Sequence, residues 1–198
     1  MSGISDAHHF RKMVAGFCMV FAPLCMTVGF IVDPDASYAF LFIGAVLMVP
    51  AALGLMHMLR EREVAFGHMG GGLSLIGLMG MAGLVGIDVG GTTDLVDRVD
   101  HLTGVGNWMF VATMGFGLGM AMLGMGVFRA HALMSWAAAC LMVGGIAFDV
   151  ALLASSAGIA IAASAAMLAG VGSTGLTVWR ESDDAWEHTP ALGGGSAG

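Results

Sequence analysis

Two histidines flank a knot of charge in GLMHMLREREVAFGHMGGG, residues 54–72: His57, then Arg60-Glu61-Arg62-Glu63, then His68. Imidazoles on the two arms of a hairpin can share a zinc or copper ion, and His131, in another turn, offers a third ligand. The same rings can titrate near neutral pH as a sensor. They can also sit at a membrane interface, polar side toward headgroups. A haem held between His57 and His68 is disfavoured, because helices joined by a tight turn pack only about 8–10 Å apart. Asp149, in GGIAFDVALLA, is an acid inside an apolar run. Such a group is a candidate for an ion pathway, or else it reaches the outer interface or pairs with Ser155 or Ser156. A third group, Asp94, Asp97 and His101, lies in TTDLVDRVDHLTG. Asp97 and His101 are one helical turn apart, as a cation pair or a solvated acidic face would be.

The elements that hold these residues follow from composition. Hydrophobic residues are 58% of the 198 and charged residues 11%, and the mean hydropathy is +0.88. A soluble domain of this length cannot hide that much apolar surface, so an integral membrane protein is expected. Six runs are long enough to cross a bilayer: about 13–32, 38–59, 68–87, 105–128, 132–154 and 157–179. Backbone groups in lipid must be satisfied within each run, which makes the fold all-α, with six transmembrane helices in residues 12–180. Short links make neighbouring spans antiparallel. Arg11, Lys12, Arg60, Arg62, Arg129 and Arg180 then fall on one side and only Arg98 on the other. The positive-inside rule puts both termini in the cytoplasm of a bacterial inner membrane. Residues 1–11 and 181–198 become cytoplasmic tails, the second flexible, and six of the seven histidines lie on the inner side. Between Thr92 and Gly104, Leu95, Val96, Val99 and Leu102 share one arc, so this segment is expected to lie on the outer surface as an amphipathic helix. A cleavable signal peptide is not expected, since the first run has the length of a span and Asp33-Pro34-Asp35 follows it.

The remaining residue patterns concern packing. Gly77, Gly80, Gly83 and Gly86 recur at an interval of three in span three, and Gly115, Gly117, Gly119, Gly124 and Gly126 crowd span four. Small residues let helix backbones approach in lipid, within the chain or toward partner subunits. The 18 methionines show no ligand spacing and read as gap-fillers among glycines rather than a copper path. Cys18 and Cys25 are about 10 Å apart along a helix, too far for a disulfide. With lysine limited to Lys12 there is no basic surface for nucleic acid; the bilayer and other membrane proteins are the expected partners.

The stretches APLCMTVGFIVDPD, VPAALGLMHMLRERE and GMAMLGMGVFRAHALMSWAAACLMVGGIA resemble a family of small uncharacterised six-span bacterial integral membrane proteins. The resemblance covers residues 11 to about 180 and implies the six-span fold. It implies no catalytic residue, and the histidines and methionines depart from the family's Leu-rich texture. The expected function is that of a non-catalytic accessory or structural subunit of a membrane assembly, without a cofactor. A small-solute or ion transporter using Asp149 is the second expectation, and a metal- or haem-binding redox subunit using His57, His68 and His131 the third. An inverted repeat would favour transport; its only echo is a histidine in one inner turn of each half.

Overall fold

Long apolar runs, punctuated by charge or by Asp-Pro, have no low-energy form in lipid except the helix, and helices are what they form. The computed structural model describes residues 2–87, 105–183 and 186. In order these are α1 (Ser2–Gly29), α2 (Pro34–Leu59), α3 (Val64–Ile87), α4 (Val105–Arg129), α5 (Ser135–Leu153) and α6 (Ala157–Met167). A π-helical turn, Leu168–Gly172, joins α6 to α7 (Ser173–Arg180), so the sixth span is one rod in three parts. Six helices are long and apolar enough to cross a membrane, and no strand occurs among the described residues. The Thr92–Gly104 segment, with Asp94, Asp97 and His101, lies outside the described residues, as does the tail from residue 187.

Each helix packs on its neighbours in sequence, and the sixth span closes on α1 to complete a ring. We refer to the end that carries Arg11, Arg60, Arg62, Arg129 and Arg180 as the basic end. The helices start earlier than the apolar runs do. α1 extends back to Ser2 through the expected tail, and α3 begins at Val64 rather than His68. Counting apolar residues stops at the first polar side chain; backbone hydrogen bonding does not. α5 starts later than expected, at Ser135 after an extended Met134 (ψ 135°), and α4 ends where His131 takes a left-handed conformation with φ 50°. His131 N–H bonds Phe128 O and Ala132 N–H bonds Val127 O, the paired bonds of a Schellman turn. Ser155 (φ 47°) ends α5 in the same way.

α4 is wedged between α3 and α5. A Cβ on Gly77 of α3 would run into the backbone nitrogen and Cα of Phe116, and one on Gly80 would lie 2.7 Å from Met109 O and Thr113 N. On its other face, a Cβ on Gly117 would run into the Gly145 carbonyl and the Asp149 carboxyl. These glycines therefore serve contacts within the chain. Methionines fill the core: Met19, Met26, Met48, Met81, Met120 and Met167 have no exposed surface. The outer surface is apolar, with Met79, Leu153 and Val143 well exposed, as contact with acyl chains requires.

Candidate functional site

The charge knot is a staple. Arg62 Nη1 donates to Ala130 O at 3.1 Å, and Arg129 Nε donates to Glu63 Oε1 at 3.0 Å. The Arg129 guanidinium also lies 5.4 Å from the centre of the Phe66 ring, within cation–π range. The α2–α3 turn is thereby fastened to the α4–α5 turn.

The three histidines have separate surroundings. His57 stacks on Trp186, with centroids 4.9 Å apart and planes 27° from parallel, and its Nε2 lies 3.2 Å from Trp186 O. Arg60 Nη1 approaches the same ring at 3.1 Å. His68 is exposed, with Nδ1 donating to Val64 O in its own helix at 2.9 Å. His131 is exposed in its turn. Among the described residues no group of three or more His, Cys, Asp or Glu is placed to hold a metal ion, so the structure does not bring these three together.

The C-terminal segment differs from the flexible tail expected from residue 181. Its first residues fold back across the end of α1. Lys12, only 5% exposed, donates to Glu181 O at 2.9 Å and forms an ion pair with Asp183. His9 Nδ1 lies 3.2 Å from Asp183 Oδ2. Trp186 is 4% exposed and seats on Gly54. The physical reason is Lys12: an ammonium at this depth needs an anion, and the segment supplies one. The hydrogen bonds from Lys12 and then His9 hold the Asp183 carboxyl below its ordinary range. Burial pushes Glu181 the other way, with the Lys12 charge partly offsetting it. Sequence reasoning missed this clamp, although an aromatic in the acidic stretch ESDDAWE and a lone lysine at the edge of a span were both visible.

Two clefts open at the basic end. One, of about 520 Å³ between α1 and α2, is lined by Arg11 and Arg60, by His57 and Trp186, and by apolar residues that include Val14 and Leu53. The other, of about 290 Å³ between α5 and α7, is lined by Trp136, Ser173, Thr177 and Arg180. Beside it, Ser173 and Thr174 both donate their hydroxyls to Gly170 O, at 2.9 and 2.8 Å, satisfying a carbonyl in the π turn.

Asp149 is half-buried on α5 and faces Gly117 in the middle of α4. Its Oδ1 is buried without a hydrogen-bond partner among the described residues. The expected hydroxyl partners are elsewhere: Ser156 caps α6 by accepting from Ile159 N–H, and Ser155 sits in the left-handed turn. On the opposite side of α4 the Ser74 hydroxyl, packed on Gly119, is likewise buried and unpartnered. No family model, curated protein or solved structure matches the chain.

Proposed function

We propose that the chain is a small non-catalytic integral membrane protein, an accessory or structural subunit of a larger membrane assembly. It sits in a bacterial inner membrane with both termini in the cytoplasm. The observation that carries this reading is the filling of the interior along α3, α4 and α5, where backbones meet at glycine contact distance. Close-packed interfaces of this kind resist the sliding that alternating access needs. The ring also runs from the first span to the sixth in one sense, whereas an inverted repeat reverses the sense of its second half. The orientation rests on six of the seven Lys and Arg residues lying toward one side. The resemblance to small six-span bacterial proteins supports the six-span reading.

Native mass spectrometry of the complex taken gently from its own membrane tests the role. A hetero-complex of fixed stoichiometry is expected. A chain that leaves the membrane alone and carries solute in liposomes would overturn it. For the orientation, a cysteine at Asp33 should react with an impermeant thiol reagent outside intact cells and one at Glu61 should not; the reverse pattern would invert the topology.

A second reading, a small-solute or ion transporter, is favoured by the buried, unpartnered Oδ1 of Asp149, since an intramembrane acid is costly unless it is used. Asp149→Asn should then abolish flux while the protein accumulates normally. An active Asn variant in normal amount would eliminate this reading.

A further inference from the structure

We propose that the cleft between α1 and α2 at the basic end binds the phosphate of an anionic phospholipid, with the start of one acyl chain running into the bilayer alongside it. The inference needs only a chain that spans a membrane, and it stands apart from the choice between subunit and transporter.

Two guanidinium-bearing residues, Arg11 of α1 and Arg60 just past the end of α2, line the same cleft. Guanidinium forks suit phosphate oxygens, which accept two bonds at once. Of these two, Arg11 is the guanidinium that no acid engages among the described residues. Asp183 is engaged by Lys12 and His9, and Glu61 lies 3.8 Å from Arg60. Arg11 is exposed and has no ion pair among the described residues. Arg60 also contacts the His57 ring through Nη1, which braces the guanidinium.

The rest of the cleft is apolar. Val14 and Leu53 line it, and Leu53 is 47% exposed on the lipid-facing surface of α2. A free inorganic anion would leave this side unfilled, and a soluble protein partner could not reach it through lipid. A headgroup phosphate with an attached chain matches both parts. At about 520 Å³ the cleft is in the ordinary range for small-molecule sites, roughly 300–1,000 Å³. Basic pockets between spans at the level of the headgroups are where such lipids are recognised. Trp186 forms one wall, so the bound lipid and the docked C-terminal segment stabilise each other.

Native mass spectrometry of the purified full chain in detergent, titrated with phosphatidylglycerol, phosphatidylcholine of the same chains, or inorganic phosphate, tests this. Phosphatidylglycerol should be retained and phosphatidylcholine should not. Arg11→Gln and Arg60→Gln should each weaken retention about fivefold, Leu53→Trp should block it, and Arg129→Gln, at the same end but outside the cleft, should not change it. If Arg60→Gln disturbs the fold, the exposed Arg11→Gln decides the matter alone. Unchanged retention in Arg11→Gln, equal retention of phosphatidylcholine, or inorganic phosphate binding as tightly as the lipid would each overturn the proposal.

Discussion

The two sides of the ring are held by opposite means. Along α3, α4 and α5 the side chains at the contacts have been reduced to hydrogen at Gly77, Gly117 and Gly145, and backbone meets backbone. Where α1 and α2 meet the C-terminal segment, the contacts are long polar and aromatic side chains: Lys12 with Asp183, and His57 with Trp186. In lipid, apolar burial gives no advantage to one helix contact over another, so close approach and dispersion must supply the stability. At the membrane edge water is near, and charge pairs and ring stacking become useful.

The difference can be broken most severely on the glycine side. Gly77→Leu pushes a side chain into the Phe116 backbone, which cannot yield, and should destabilise by about 3 kcal/mol or more. Gly72→Leu, in the same helix, is the control, because a Cβ there meets nothing within 4 Å. Denaturant unfolding in mixed micelles should separate the two; equal tolerance would mean the α3–α4 contact is not close.

The polar side should give smaller and asymmetric effects. Asp183→Ala leaves the Lys12 ammonium buried and unpaired, whereas Lys12→Met removes the charge that has to be paired. The first should therefore destabilise more than the second in thermal unfolding. The pH dependence follows the same clamp. Because the folded-state Asp183 carboxyl is held below its ordinary 3.8, its contribution is full above that value and is lost as pH falls below it. Glu181, raised by burial from 4.5, acts oppositely, favouring the fold less as pH rises above 4.5. Asp183→Asn should flatten the loss below pH 3.8; an unchanged acid limb would mean Asp183 is not held.

Within that side, His57 and His68 should part company. His57→Gln loses the stack on Trp186 and should cost about 0.5–1.5 kcal/mol, while His68→Gln should stay within about 0.5 kcal/mol. Equal costs would show that Trp186 is not seated. The smallest effect is expected at His131. Glycine suits its left-handed backbone, so His131→Gly should leave stability unchanged or raise it by up to about 1 kcal/mol. A loss of stability would mean the ring makes contacts beyond the turn.

The spans were legible because an apolar run in a bilayer has one backbone solution, and the charge knot marked its turn correctly. The glycine interval of span three showed a close contact but not its object, because Phe116 lies on another helix. A histidine on each side of the knot says nothing about which ring meets a tail more than a hundred residues away. Nor did the left-handed turn at His131 announce itself, since the glycine that usually marks such a position is absent. Asp149 could be flagged from the sequence; its orientation toward Gly117 could not.

The π turn at Leu168–Gly172 makes the sixth span a place where a single codon can be lost. A π turn holds one residue more than the α-helix it interrupts. Deleting Ala169 should restore a plain helix and leave everything beyond it facing nearly the same way, because five residues of π turn cover about the arc of four in an α-helix. Gly175 would stay against Gly16, and Trp179 near the Met13 carbonyl it reaches at 3.4 Å. The same deletion in an uninterrupted helix such as α5 would turn all that follows by about 100° and leave it facing the wrong neighbours. A one-residue deletion is therefore expected to be tolerated at residues 168–172 better than within α5.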